Sequence, residues 1–493
     1  MASTPPDPAP DTATAPGLFA RSTAALSTAW QFRTYIPVIA STVSSYYLFG
    51  PPHATWPLRL ALFTAVARFH SSAAVAAREL EGKTKELSEE EQVRIMQATR
   101  RKVEGLLVKD PERQPRDGQV REVEVPVRKR GLGGVLREVD GEEDGTRMVK
   151  AEWSAHHSLL TSSAASSDQR ILLYTHGGAY TLLSTRTHRQ TVLQLSKQLG
   201  CKALFNAYLY LTQDLNIPAS SILLGGDSAG GNLALALMLY LRDEGLPQVG
   251  GAVLVSPWVD MTASLGSWDE NKDFDYLTVS PSDPLSPPRL FLPSVSYPTL
   301  LSSPYVSPAL TASFTSLPSL LIQSGGAETL RDEHALLALR ASRDGVRVTH
   351  EVYREGVHVH QMVDPGESAR EAMRAVGEWG RGLPPAPSGA ADKLQEVDQR
   401  LKAAWDARPA AEKAAQREEG TSARRSAPAR FMYERVAERV PPLKLREGAH
   451  EAAKKAVAEL DEYEPPEGLT TVVYARRVPA EGVVGRVRGL LHL

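Results

Sequence analysis

The chain has 493 residues, with 56 basic and 58 acidic side chains that nearly cancel. That balance excludes nucleic acid as the obvious partner and suits a neutral or apolar small molecule. Cys201 is the only cysteine, which excludes an intramolecular disulfide framework and fits an intracellular location, cytoplasmic or membrane-associated.

The length exceeds what one hydrophobic core usually fills, so a single domain with long extensions and a two-domain chain both fit. MASTPPDPAPDTATAP opens the sequence with no basic residue ahead of an apolar run, and residues 1–25 read as a disordered leader without a secretory signal pattern. Residues 26–145 form a second region. Within it, Tyr35 to Phe49 (YIPVIASTVSSYYLF) is apolar and aromatic but too short for the ~20 residues of a spanning helix. Pro57 to Phe69 is a second apolar run, carrying Arg59 and Arg68. The pair is expected to pack as helices or a lid over a binding site, or to contact a membrane surface peripherally. KTKELSEEEQVRIMQATRRK then reads as a solvated helix, and PERQPRDGQVREVEVPVRK as a loop leading into a strand.

From Arg170 onward short apolar runs recur: ILLYT, KALF, SILLG, GAVLVS and SLLIQSG. Such unalternating runs suit strands buried on both faces. Helical patterns at His188–Leu199, Ala207–Leu215, Ala229–Glu244 and Arg331–Arg343 lie between them. The alternation predicts an α/β fold with a mostly parallel, doubly wound sheet over residues 146–382. A Ser/Pro-dense insert, Asp260 to Pro318, interrupts the order and is expected to cover a site. A last helix spans roughly Glu367 to Gly380. Residues 383–493 are Ala/Arg/Glu-rich and read mostly as a disordered or isolated-helical tail.

Gly226-Asp227-Ser228-Ala229-Gly230 follows a strand and opens a helix, the context in which G-x-S-x-G forms a nucleophile elbow. Ser228 is therefore the candidate nucleophile. Upstream, His176-Gly177-Gly178-Ala179 ends a buried strand, where an HGG loop can supply backbone N–H groups to an oxyanion. Gly177, Gly178 and Ala229 are the expected donors. Of the histidines after Ser228, only His358 and His360 lie between a strand and the last helix, so either can be the base. His334, on a charged helix pattern, reads as an exposed surface residue. Glu328, in the loop after SLLIQSG, is the first candidate for the orienting acid, with Asp332 one turn later as the alternative. No acidic and histidine cluster at metal-ligand spacing accompanies His358-x-His360, so no metal is expected.

HGGAY at 176–180, GDSAGGN at 226–232 and GGAETLRDE with VHVHQ at 325–333 and 357–361 resemble the hormone-sensitive-lipase branch of the α/β-hydrolases, the fold-3 group. The resemblance covers roughly residues 145 to 382. It implies carboxylester hydrolysis through an acyl-enzyme, with Ser228, Glu328 and His358 as triad, since the base in this group precedes an aromatic position by two residues. It implies no cofactor and, together with the apolar insert, a hydrophobic ester as substrate. The chain departs from the pattern at Glu328, where the group usually has Asp, and at His360, where it often has Phe. A larger departure lies between Phe205 and Ala207, where a segment present in the group is missing and only fifteen residues, Asn206 to Ser220, remain for the crossover. That gap favours a rival reading, a catalytically impaired small-molecule binder like the plant gibberellin receptors.

Overall fold

The computed structural model describes residues 33–82, 88–108, 110, 113–161, 170–205, 207–277, 286–292, 297–364, 366–387, 391–410 and 431–477. The leader read at 1–25 lies outside the described residues. Ten strands form one sheet in the order β1-β2-β4-β3-β5-β6-β7-β8-β10-β9. β1 (Gly118–Pro126) and β2 (Met148–His156) form an antiparallel pair at one edge. β3 (Ile171–Thr175), β4 (Lys202–Phe205), β5 (Ile222–Asp227), β6 (Gly251–Val255), β7 (Leu320–Gly325) and β8 (Val348–Tyr353) run parallel. The sheet thus begins at Gly118, upstream of the boundary expected near residue 146.

Successive residues of the parallel strands enter opposite layers, as the period of two requires. Leu172, Tyr174, Leu223, Val253 and Leu321 pack under helices α4 (Thr185–Leu199) and α7 (Glu367–Arg381). Ile171, Leu173, Leu224, Leu254 and Ile322 face α5 (Ala229–Asp243) and α6 (Arg331–Arg343). Both faces are dry, which explains why these strands read as continuous apolar runs. Three further helices precede the sheet: α1 (Ile36–Phe49), α2 (Leu58–Gly82) and α3 (Glu89–Leu107).

The chain leaves β3 for β4 on one side and returns to β5 on the other. Strand order therefore reverses beside β3, the position at which open α/β sheets leave a crevice at the strand C-termini. HGGAY ends β3 and Ser228 ends β5, so both motifs meet there.

The short crossover between β4 and β5 carries a widened helical turn, Tyr210–Asp214. Leu215 N–H reaches Tyr210 O at 3.0 Å and Ile217 N–H reaches Leu211 O at 2.9 Å, a π-helical turn rather than a longer helix. The neighbouring face is covered from an unexpected direction. α8 (Ala391–Asp406) brings Leu394, Leu401 and Trp405 into the layer that holds Leu204, Tyr208 and Leu211, and Asp398 pairs with Lys202. Trp405 also stacks on His157 with ring centroids 5.9 Å apart.

The tail corrects its sequence reading in a second respect. β9 (Phe431–Glu438) and β10 (Thr470–Arg477) extend the sheet past β8, β10 parallel to β8 and β9 antiparallel to β10. Arg435 locks them on, bonding Glu351 at 2.6 Å and Glu371 at 3.1 Å. FMYERVAE and TTVVYARR carry the alternation and β-branched residues of strands, but the Ala/Arg/Glu composition around them obscured it.

Candidate active site

β5 is buried along its whole length, and the backbone then kinks at Ser228, with φ 52° and ψ −122°, before α5 starts at Ala229. A non-glycine residue held there stores roughly 1–3 kcal/mol of strain, and neighbouring bonds must hold it. Ser228 N–H donates to Val255 O at 3.0 Å, and Ser228 O accepts from Trp258 N and Asn232 N at 2.9 and 3.1 Å. The glycines beside it are sterically required. A Cβ on Gly226 would stand 2.4 Å from Gly230 O, and one on Gly230 would stand 2.0 Å from Thr175 O.

Glu328 and His358 meet as a buried pair, His358 Nδ1 donating to Glu328 Oε2 at 2.9 Å. Glu328 Oε1 accepts from Gly325 N at 2.5 Å and Ser256 Oγ at 3.1 Å, and Ser256 Oγ accepts in turn from Val359 N at 3.1 Å. Asp275, from the insert, joins the acid loop to the base loop. It accepts from Thr329 N at 2.9 Å and from His358 N at 3.1 Å, while Tyr276 Oη donates to His358 O at 3.0 Å. Burial opposes charge on Glu328, but His334 and His358 outweigh it and hold its carboxyl at about 2. Burial likewise opposes charge on His358, yet Glu328, with Asp275 and Asp227 behind it, leaves the imidazole above its ordinary value. At rest, among the described residues, Ser228 Oγ has no hydrogen-bond partner and His358 bonds through Nδ1, its Nε2 making no bond.

The alternatives separate cleanly in space. Asp332 bonds Ser267 N at 3.0 Å and Arg331 Nε at 2.8 Å, tying the insert to α6 instead of reaching His358. His360 points away, its ring 4.7 Å from that of Tyr353, and burial lowers its pKa to about 4. His334 is fully buried, correcting the expectation of an exposed residue: its Nε2 lies 2.8 Å from Pro257 O and its Nδ1 3.4 Å from Glu328 Oε1. A charged helix pattern conceals a buried histidine because α6 is covered by both the sheet and the tail.

The HGG loop also differs from expectation. Gly177 N–H is engaged by Asp227 Oδ1 at 3.1 Å, so Gly177 is not available as an oxyanion donor. Beside the elbow, the N–H groups of Gly178, Ala179 and Ala229 have no partner among the described residues; Gly178 and Ala179 sit at φ 114° and 53°. Asp227 itself accepts from Tyr174 Oη at 2.6 Å and from His188 Nε2 at 3.4 Å. The opposite nitrogen of His188 lies 2.8 Å from Thr187 Oγ1 and 3.0 Å from Ser184 O. Burial opposes both charges, but each partner offsets it for the other: Asp227 drops to about 2 and His188 rises. Asp227 was visible in the elbow motif; His188, Ser256 and Asp275 gave no local signal.

Over the elbow lies an apolar wall built mostly by the insert, including Trp258, Met261, Trp268, Leu292 and Val306, with Ala229 at its base. Tyr180 stacks on Phe291 with centroids 4.0 Å apart and donates to Asn232 Oδ1 at 2.7 Å.

Residues 202–362 match a family model described as alpha/beta hydrolase fold. An acetyl-hydrolase of Streptomyces hygroscopicus is 32% identical over 234 residues, covering 43% of this chain and 76% of that protein. The chain belongs to the α/β-hydrolase fold family. An esterase of Acinetobacter venetianus is 28% identical to this α/β-hydrolase over 240 residues, covering 45% and 77% of the two chains. A crystal structure of an esterase from the bacterial hormone-sensitive lipase family superposes with a TM-score of 0.44 and 26% identity, over 63% of this chain and 97% of that one. The α/β-hydrolase is thus an esterase/lipase-type enzyme.

Proposed function

We propose that the enzyme is a serine carboxylester hydrolase that works through an acyl-enzyme on a hydrophobic ester. The observation that carries this reading is the buried His358–Glu328 hydrogen bond on loops beside the strained Ser228 elbow. His358 Nε2 takes the Ser228 proton as the hydroxyl oxygen attacks the ester carbonyl; Glu328 fixes the tautomer and stabilises the imidazolium. The Ser228–His358 hydrogen bond forms when substrate enters, as catalytic hydrogen bonds often tighten only in the complex. The carbonyl oxygen, now anionic, accepts from Gly178, Ala179 and Ala229 N–H at the positive end of α5. His358 returns the proton to the leaving alcohol, and water hydrolyses the acyl-enzyme by the same base. The apolar wall of Trp258, Met261 and Leu292 supports an apolar acyl or alcohol group.

Labelling of the full chain with a fluorophosphonate tests the reading. Wild type is expected to label and Ser228→Ala to remain unlabelled; labelling that survives Ser228→Ala, or none in wild type alongside no turnover of p-nitrophenyl esters, overturns it.

A further inference from the structure

Helix α1 is poorly suited to water. Its 14 residues carry no charged side chain, and none is buried. At its end Tyr47, Leu48 and Phe49 are 74, 74 and 86% exposed, and Ile36 at its start is 61% exposed. Phe63 and Phe69 on α2 are exposed large apolar residues too. A cluster of this kind marks an interaction surface.

The hairpin is attached firmly on its other side. Trp56 Nε1 donates to Glu355 O at 2.7 Å, Thr55 bonds Glu355 Oε2 through N and Oγ1, and Leu60 and Ala61 pack with Ala327 and Val357. The Phe63 ring meets Tyr276 edge-on at 5.3 Å, and Tyr276 holds the carbonyl of His358. The apolar end therefore projects from a support that adjoins the loop carrying the base.

Length and charge narrow the partner. At ~1.5 Å per residue, 14 residues reach ~21 Å, short of the ~30 Å hydrocarbon core. No described helix is long and apolar enough to cross a membrane. Between Thr12 and Arg78 there is no Asp or Glu but there are five arginines, Arg21, Arg33, Arg59, Arg68 and Arg78, of which Arg59 pairs with Asp364 on the body of the protein. A protein partner of mixed charge does not require such one-sidedness, whereas anionic headgroups complement it; tyrosines such as Tyr46 and Tyr47 are favoured at the headgroup level, and Leu and Phe on the inserted face.

We propose that the α1–α2 hairpin docks the enzyme on an anionic lipid surface, with Tyr47, Leu48 and Phe49 entering the interface and the adjoining site facing the lipid. Docking is independent of the Ser228 chemistry, because it is read as binding. The full chain is mixed with phosphatidylcholine vesicles with and without phosphatidylserine, sedimented, and compared with a Leu48→Ser/Phe49→Ser variant. Wild type is expected to bind the phosphatidylserine vesicles, less as salt rises, and the variant to bind at least about tenfold more weakly. Hydrolysis of soluble p-nitrophenyl butyrate is expected to be equal in both. The proposal is overturned by wild type remaining in the supernatant, by the variant binding equally well, or by light scattering that shows the variant turning a dimer into a monomer. An inactive wild type that still binds vesicles overturns the hydrolase reading and supports the docking.

Discussion

Asp227 Oδ1 accepts the Gly177 N–H at 3.1 Å, which ties the residue before Ser228 to the HGG loop. Asp227→Ala leaves Gly177 N–H, Tyr174 Oη and the His188 ring without their acceptor. Breaking a buried pair in this way costs ~3–5 kcal/mol, and a displaced donor costs ~10²-fold in kcat. Urea unfolding and p-nitrophenyl ester kinetics measure the two effects. The Asp227 contribution is present above the ordinary carboxylate pKa and lost as pH falls toward about 2. That of His188 is present below its ordinary value and lost as pH rises through its raised one. The stability gap between wild type and Asp227→Ala is therefore expected to be widest between ~pH 4 and ~6.5.

Gly178 and Ala179 offer neighbouring amides but differ in tolerance. A Cβ on Gly178 would lie 2.2 Å from Leu182 O, at a φ of 114° that suits only glycine. Gly178→Ala is expected to lower kcat by ~10²–10³-fold through a misplaced donor. Ala179→Gly keeps the amide and relieves a φ of 53°, so kcat should stay within about threefold of wild type and stability should change by less than ~1 kcal/mol. Steady-state kinetics on both variants distinguishes the Gly178–Ala179–Ala229 assignment from one that relies on Gly177.

The base must be neutral to accept the Ser228 proton, and Glu328 keeps His358 above its ordinary pKa. The acid limb of kcat/KM should therefore lie above pH ~6.5. Glu328→Gln should move that limb downward and reduce kcat by up to ~10⁴-fold, as when an orienting acid is neutralised. A pH–rate profile of each protein checks both; an unmoved limb in Glu328→Gln would sink the assignment of the acid.

His360 buries both ring nitrogens without a partner while its ring lies tilted against that of Tyr353. His360→Phe is expected to retain activity and to stabilise the fold by ~1–2 kcal/mol, by removing unsatisfied polar atoms. Its folded pKa of about 4 means that stability from the neutral ring is full above ~6.5 and declines as pH falls from there toward 4. The variant should consequently lose less stability than wild type on acidification, measured by thermal melts across that range.

Leu401 on α8 is fully buried in the core layer that also holds Leu204 and Leu211. Leu401→Ala is expected to cost ~2–5 kcal/mol in urea unfolding, the usual range for a core leucine. A change within ~0.5 kcal/mol would show that the tail helix does not contribute to the fold.

Much of this arrangement is local, and local features are legible. Ala229–Asp243 and Arg331–Arg343 follow the expected helices because period and boundary residues lie in the same short stretch. The elbow and the HGG loop are equally readable, since steric demands at Gly226, Gly230 and Gly178 arise within a few residues of chain or across one strand pair. The tail strands were hidden because β10 is held by pairing with β8, more than a hundred residues away in sequence, and β9 is held in turn by β10, and not by their own composition.

By itself the sequence determined the α/β class, the nucleophile motif and the short set of histidines and carboxylates able to serve it, because those depend on residue type and near-neighbour spacing. Only the tertiary structure decided among them. It placed Glu328 and not Asp332 against His358, turned His360 into a separate crevice, buried His334 and closed Gly177 N–H onto Asp227. Each of those outcomes is a distance between distant parts of the chain, set by how the sheet, the insert and the tail pack together.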